Sequence, residues 1–232
     1  MTSKGGTMTT FSCKNSVYIH IPKTAGNTIS RLLGKNKLVN HGYITPRMNG
    51  VVDPHANVSQ IYDEDLGKPR WTVFRNPISW FESYWSYKRS HGWARGPTQK
   101  QALNFIDDRV VKDSIDDTVA KCYQDRASVV ECVYAEYWDD KTIIALQGIS
   151  PSGHDQLYKY INQIIAKVEK IKLDKQYWGV ANSTQNKSKM NEKSAKIIWE
   201  NEYKFFGRYY NEDKTISDEW AGAFDNHLKE RS

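Results

Sequence analysis

The sequence has 232 residues, of which 39% are hydrophobic, 26% charged and 12% aromatic, a composition that excludes ordinary intrinsic disorder and favours one globular domain. Lys and Arg number 33 against 27 Asp and Glu, so the net charge is +6; this surplus suits an anionic ligand, although a solvated basic surface explains it equally well. No apolar run approaches the roughly 20 residues that span a bilayer, and the polar N-terminus lacks a signal-peptide segment, so we expect a cytoplasmic protein without a membrane segment.

Residues 1–15 are expected to form a flexible leader, and residues 16–232 a single domain. No internal repeat, low-complexity tract or Pro/Gly-rich linker divides that domain. The three cysteines, Cys13, Cys122 and Cys132, are odd in number and lack CxxC spacing. They therefore predict neither a disulfide framework nor a zinc site.

The first recognisable unit consists of a strand, a loop and a helix. The β-branched and aromatic run at residues 17–21 predicts a buried strand, which ends at Pro22. Residues 28–34 have helical spacing, and Asn27 or Thr28 is the expected N-cap.

A second unit of the same kind begins with a predicted strand at residues 71–74. Pro77 suits the first turn of a helix that runs to about Arg89. Two such units, separated by a long connection, predict an α/β fold with parallel strands.

The remaining elements are predicted from periodicity alone. A further strand is expected at residues 142–146, and helical patterns occupy residues 99–111, 114–123, 154–170 and 193–206, the last ending at Gly207.

The loop of the first unit has the composition of a phosphate-binding turn. Backbone amides of such a turn and of the following helix converge on one point, where the helix dipole also favours negative charge. Lys23 adds a mobile positive charge, and Gly26 lets a ligand approach the backbone. Thr24 or Thr28 adds a hydroxyl donor. The Walker A pattern is absent because the lysine precedes the glycine, and an ordinary strand–helix turn with a solvated lysine is the alternative.

Two segments carry a resemblance to a known family. The sequence IHIPKTAGNT at residues 19–28 resembles the 5′-phosphosulfate-binding loop of sulfotransferases that use 3′-phosphoadenosine 5′-phosphosulfate (PAPS). It is most similar to the carbohydrate-type branch, which includes heparan sulfate 2-O-sulfotransferases and bacterial relatives. VFRNP at residues 73–77 resembles the family's 3′-phosphate-binding segment, which implies that Arg75 and Ser83 hold that phosphate. Eight residues place Ser83 about two helical turns beyond Arg75.

Weaker similarities extend along the chain. Residues 54–58 resemble the family's histidine-containing segment, which implies that His55 is the catalytic base. Residues 182–188 resemble a polar loop that closes over the nucleotide, and residues 202–210 resemble the closing helix with its terminal aromatic signature. Residues 90–175 match no motif; in this family that stretch usually shapes the acceptor pocket.

The resemblance implies a three-layer P-loop-like fold with a central, mostly parallel sheet flanked by helices. It implies transfer of a sulfuryl group from PAPS to an acceptor hydroxyl, favouring a carbohydrate, with release of 3′,5′-ADP (PAP) and without a metal. Lys23 and His55 would be catalytic. The implied cofactor-binding residues are Pro22, Lys23, Thr24, Ala25, Gly26, Asn27, Thr28, Arg75, Ser83, Asn186, Lys187 and Ser188.

Several alternatives stay open. His41 is the second candidate for the base, and Glu64, Asp65 and Glu82 are possible substitutes, although carboxylates in basic surroundings are weak bases. A nucleotide or small-molecule kinase would need a Walker A lysine and magnesium ligands, which the sequence does not display. A non-catalytic nucleotide or nucleic-acid binder would exploit the positive charge, but no RNA or DNA module is recognisable and nucleic acid is not expected as a partner.

Overall fold

The computed structural model describes residues 10–43, 45–46, 52–53, 55–91, 101–148, 151–179 and 187–232. These residues form an α/β fold in which helices flank a five-stranded mixed sheet. The strands of this sheet are β1 (Phe11–Cys13), β2 (Val17–Ile19), β3 (Val39–Gly42), β6 (Arg70–Arg75) and β7 (Ile143–Gln147), while β4 (Thr45–Pro46) and β5 (Val52–Asp53) pair separately.

Eight α-helices are found in the described residues. They are α1 (Gly26–Lys35), α2 (Pro77–Ser90), α3 (Gln101–Asp107), α4 (Ile115–Asp125), α5 (Val129–Ala135), α6 (Pro151–Val168), α7 (Glu192–Phe206) and α8 (Asp218–Arg231). Short 3-10 helices lie at Val58–Gln60, Asp63–Asp65 and Lys175–Tyr177. Among the helices described, none combines the length and apolarity needed to cross a bilayer.

The sheet is only partly parallel. Its strand order is β3-β1-β2-β6-β7, with β2-β6 and β6-β7 paired in parallel and β1 antiparallel to both of its neighbours. The strands predicted at residues 17–21, 71–74 and 142–146 are confirmed as β2, β6 and β7. The expected mostly parallel arrangement is not confirmed for the sheet as a whole, because β1 is inserted between β2 and β3.

Strand β1 comes from the segment expected to be a flexible leader, and that expectation is wrong for Phe11–Cys13. All three residues of β1 are buried, and a tight turn, in which the Cys13 amide donates to the Ser16 carbonyl at 2.8 Å, returns the chain into β2. The buried Glu169 carboxylate secures this turn by accepting from the Asn15 amide and the Ser16 hydroxyl. A short turn can join antiparallel strands but not parallel ones, which explains the mixed sheet.

Both faces of the parallel half of the sheet are covered. Successive strand residues point to opposite faces, yet every residue of β2 and β7, and all of β6 except Arg70, is buried. Large aromatic side chains fill much of this core, among them Tyr18, Trp71, Phe74, Trp80, Phe81 and Trp85. Sequence periodicity did not predict α5 or α8, which are short or weakly amphipathic.

Glu202 links α7 to helices α4 and α5 and supports a stability prediction. Its buried carboxylate on α7 accepts hydrogen bonds from the first amides of α5, Val130 at 2.7 Å and Glu131 at 2.9 Å, and from the Tyr123 hydroxyl at 2.7 Å. We expect Glu202→Ala to lower the free energy of unfolding by about 2–4 kcal/mol, because one buried and two partly buried donors lose their acceptor.

Chemical denaturation would measure this loss, with Glu200→Ala on the same helix as the matched control. Glu200 is exposed and, among the residues that the structure describes, forms an ion pair only with Lys196, at 3.6 Å. Its removal should change stability by no more than about 0.5 kcal/mol. Equal effects of the two substitutions would contradict the capping role of Glu202.

Candidate anion-binding site

The candidate site lies where β2 and β6 end and the chain enters α1 and α2. The two strands are parallel neighbours, so their carboxyl ends and the loops that follow meet at one edge of the sheet, the usual position of ligand sites in α/β folds. The second loop is well defined, since the Asn76 side chain accepts from the amides of Ile78 and Ser79 and Pro77 opens α2.

The first loop folds so that its carbonyl groups are occupied by the protein. The Ile21 carbonyl accepts from the Thr24 hydroxyl at 2.7 Å, the Pro22 carbonyl from Trp80 Nε1 at 2.7 Å, and the Lys23 carbonyl from Arg75 Nη1 at 3.2 Å. A loop fastened by its carbonyls leaves amides available on its other side, and the first four amides of a helix have no intrahelical acceptor.

Helix α1 begins earlier than the sequence predicted. Its N-cap is Ala25, with φ 64°, and Gly26 and Asn27 are its first residues, so the expectation of Asn27 or Thr28 as N-cap is wrong. Within the described part of the chain, the amides of Gly26 and Asn27 donate to no oxygen. Lys23 also has a positive φ of 71°. Left-handed backbone at non-glycine residues is strained, and such strain is concentrated at functional sites.

Gly26 is required by a close approach from His20. An added Cβ at position 26 would lie 2.2 Å from the His20 Nε2 and Cε1 atoms. The imidazole therefore lies directly beneath the first turn of α1. It is 5% exposed, and its pKa is well below the usual value because of burial and the nearby charges of His55 and Lys23. Because the His20 ring is neutral, the positive charge of the first loop is that of Lys23.

Arg75, the last residue of β6, is 9% exposed. Its Nε donates to the Ser79 hydroxyl at 3.1 Å, and its Nη1 to the Lys23 carbonyl, which joins the two loops. The hydroxyl that contacts the guanidinium is thus that of Ser79, whereas the predicted Ser83 lies buried one turn further along α2. None of the described carboxylates forms an ion pair with Arg75.

Three cations converge at this point. Burial first, and then the charges of Arg75 and Lys187, lower the pKa of Lys23 to about 8. Burial and the charge of Arg75 also lower the pKa of Lys187. The nearby buried carboxylate, Glu82, is engaged by Lys189 at 3.0 Å and by Lys214 at 3.9 Å. The charge of Glu82 also favours the cationic forms of Arg75 and Lys187. The cations nevertheless outnumber this carboxylate, and their excess positive charge favours the binding of an anion.

The residues that precede α7 contact α2 beside the site. The Ser188 amide donates to the Ser86 hydroxyl at 3.0 Å, and the Glu82–Lys189 pair holds the next residue. Lys187 and Ser188 thereby lie beside the candidate site; that they bind a cofactor stays a prediction. Asn186 and Pro54 lie outside the described residues.

His55 lies on the other side of the first loop. Its ring centroid is 5.0 Å from that of His20. The buried Thr10 connects the two segments, since its hydroxyl donates to the Ala56 carbonyl at 3.2 Å and accepts from the His20 amide at 3.2 Å. The structure therefore brings His55 to the end of β2, next to the candidate anion-binding loop.

His41 belongs to a separate cluster. It lies on β3, level with Ser12 in the neighbouring strand, and its Nε2 is 3.1 Å from the buried Asp65 carboxylate. Asp65 also accepts from Lys68 Nζ at 2.7 Å and from the Ser12 and Tyr43 hydroxyls. These bonds lower the pKa of Asp65 against the effect of its burial. Asp65 is thus committed to structural bonds away from the cationic cluster.

The sequence analysis missed two residues beside the site. His154, on the first turn of α6, is half-buried, and its pKa is lowered by burial and by the charges of Arg75 and Lys187. The ring of Tyr87, on α2, lies beneath Lys23 Nζ. The helical spacing of Ser79, Ser83 and Tyr87 was the available signal for Tyr87, whereas no local pattern identifies His154.

A groove of about 600 Å³ lies at the opposite, amino end of β6, where Arg70 begins the strand. Both arginines of this groove have partners. Arg70 pairs with Asp139 at 2.8 Å, and Arg231 Nε donates to the Asp140 carbonyl at 2.9 Å. The carboxyl end of the strands is the better candidate site, because both arginines of the groove already pair with carboxylates.

Comparison of the chain with protein-family models, with curated proteins and with solved structures gave no match. The functional interpretation therefore depends on the two sequence motifs and on the geometry of the residues within them.

Proposed function

We propose that the protein is a PAPS-dependent sulfotransferase with a P-loop-like arrangement of its parallel strands, acting on the hydroxyl group of a carbohydrate. The observation that carries this proposal is the convergence of Lys23, Arg75 and Lys187 beside the amides of the α1 start. A nucleotide with a phosphate at each end of its ribose needs two anion-binding groups, and two loops of the sheet supply them here.

The two loops would bind different phosphates. The amides at residues 25–28 and the Thr28 hydroxyl would hold the 5′-phosphate, as helix starts do in other nucleotide sites. The Thr24 amide already donates to the Ile21 carbonyl. Arg75 would hold the 3′-phosphate, because a guanidinium donates two parallel hydrogen bonds to such a group. Ser79 or Ser83 would supply the neighbouring hydroxyl, and Lys187 and Ser188 would cover the nucleotide from the other side.

The transfer itself would be an in-line displacement at sulfur. The acceptor oxygen forms a bond to sulfur while the bond between sulfur and the 5′-phosphate oxygen breaks, and PAP leaves with that electron pair. Lys23 would neutralise the charge that develops on the leaving oxygen, and His55 would accept the proton of the acceptor hydroxyl. Most of the rate enhancement would then come from positioning and charge stabilisation.

The decisive experiment compares nucleotides that differ in a single phosphate. We expect Arg75→Ala to weaken PAP binding by about 1.5–3 kcal/mol, the range for a charge-assisted hydrogen-bond donor. Binding of adenosine 5′-phosphosulfate, which lacks the 3′-phosphate, should hardly change. Isothermal titration calorimetry on both proteins with both nucleotides measures the difference.

Equal losses for both nucleotides would show that Arg75 only fastens the Lys23 loop. Ser79→Ala and Ser83→Ala, compared in the same assay, identify which hydroxyl contacts the 3′-phosphate. Calorimetry with ATP and with a short oligonucleotide is the wider control, because a kinase would prefer ATP and a nucleic-acid binder the oligonucleotide. Only a sulfotransferase requires PAP to bind most tightly.

A further inference from the structure

Lys23 is held in a position that its sequence motif does not explain. Its backbone is fixed by the bond from Arg75 to its carbonyl, and its Nζ lies 4.0 Å from the centroid of the Tyr87 ring. Such a position over the face of an aromatic ring is a cation–π contact. It places the ammonium group against α2, a helix that belongs to the other strand–loop–helix unit.

The surroundings of Lys23 otherwise oppose its charge. Burial and the cations Arg75, at the end of β6, and Lys187, in the segment before α7, all act against the ammonium form. Its neighbour His20 lies under the helix start without charge. No carboxylate in the described parts of the chain forms an ion pair with Lys23. The Tyr87 ring face is therefore the group seen to favour the charged form.

Tyr87 is itself placed for this contact. It follows Ser79 and Ser83 at intervals of four residues, so the three side chains lie along one face of α2. Its ring packs on that of His91, with centroids 4.1 Å apart, and His91 Nδ1 lies 2.9 Å from the Tyr87 carbonyl. The tyrosine is 39% exposed, so part of its ring stays accessible to solvent.

We propose that Tyr87 is a positioning residue that keeps Lys23 cationic and directed along α2 before the anion binds. A ring suits this task better than a carboxylate, because a carboxylate would neutralise Lys23 and repel the anionic ligand, whereas an aromatic face attracts the cation and carries no net charge. The inference rests on the proposed function only for the identity of the anion.

The test varies the electron density of the ring while its shape stays almost constant. Tyr87 is replaced by Phe, by singly and triply fluorinated phenylalanines, and by Leu, and the Lys23 pKa is measured by NMR on isotopically labelled lysine in the ligand-free protein. The Lys23→Arg variant assigns the signal. Because fluorine weakens the attraction of the ring for a cation, the pKa should fall stepwise along the series and lie about one unit lower in Tyr87→Leu than in Tyr87→Phe. An unchanged pKa across the series would overturn the proposal.

The same variants separate this inference from the proposed function. With PAPS turnover as the readout, Tyr87→Phe should retain kcat within about twofold. In the fluorinated variants, the pH above which activity is lost should become lower with each added fluorine. Tyr203→Leu, which removes an exposed tyrosine of α7, is the control and should leave both readouts unchanged. If the Lys23 pKa falls across the Tyr87 series but the protein does not bind PAP, the inference about Tyr87 is upheld and the sulfotransferase proposal is rejected. If the protein binds PAP tightly but the Lys23 pKa is the same in all Tyr87 variants, the sulfotransferase proposal is supported and the inference about Tyr87 is rejected.

Discussion

Lys23→Ala is expected to lower kcat for sulfuryl transfer by about 100-fold or more, judged from the removal of single electrostatic donors at other active sites. The reason is that Lys23 would act most strongly on the charge that develops on the leaving oxygen in the transition state. Affinity for PAP should fall less than kcat does, because several amides still hold the 5′-phosphate. Steady-state kinetics together with PAP calorimetry measures both effects.

Lys35→Ala is a matched control, since Lys35 is an exposed residue in the last turn of α1, the helix that follows the Lys23 loop. Turnover retained in Lys23→Ala would remove the loop from catalysis. Addition of magnesium or of EDTA should have little effect on the wild-type enzyme, and a strict requirement for magnesium would favour a kinase instead.

The charge of Lys23 also predicts a pH dependence. Its pKa in the free protein is lowered from 10.5 to about 8, so the ammonium form dominates at pH 7 and is lost as the pH rises through 8. PAP affinity should therefore decline above about pH 8, and Lys23→Arg should move this decline to higher pH because guanidinium stays charged. An affinity that is flat between pH 7 and pH 9 would contradict the role of Lys23 in binding.

His55→Ala should lower kcat by roughly 10²–10⁴-fold while PAP affinity is unchanged, the range expected for loss of a general base. The acceptor hydroxyl must lose its proton as it bonds to sulfur, and a half-buried imidazole at the end of β2 can accept it. His20 is the neighbouring alternative, but both of its ring nitrogens are buried, so a substrate cannot reach them.

The matched variant is His41→Ala, which removes an imidazole whose Nε2 lies 3.1 Å from the Asp65 carboxylate rather than one beside the anion site. It should cost much less activity than His55→Ala, and a thermal melt of each variant shows whether either substitution disturbs the fold. An inactive His41 variant beside an active His55 variant would move the base to His41. Full activity in both variants would show that a carboxylate or water, rather than either histidine, accepts the proton of the acceptor hydroxyl.

Short-range signals predicted the parallel half of the fold. The β-branched run before Pro22 and the Asn76–Pro77 helix start are local patterns, and a strand or cap of this kind forms from neighbours in the sequence. The same locality explains why Lys23 and Arg75 could be selected as anion-binding residues from their loops. Helix α5, of seven residues, carried too few turns for its periodicity to be recognised.

Other features depend on packing between distant parts of the chain. Strand β1 has only three residues, and its place in the sheet depends on the turn held by Glu169, 153 residues beyond Ser16. The pairing of His55 with His20 depends on Thr10, which no pattern in the sequence connects to either. Periodicity shows which face of an element is buried, but not which element covers it.

The sequence by itself therefore determined that two strand–loop–helix units present a lysine and an arginine at their turns, because each unit is specified by adjacent residues. Only the tertiary structure decided that Lys187 joins these two cations, that Ser79 rather than Ser83 contacts Arg75, and that the Tyr87 ring lies beneath Lys23. These contacts cross between elements, and their distances are set by how α2 and the C-terminal segments pack against the sheet.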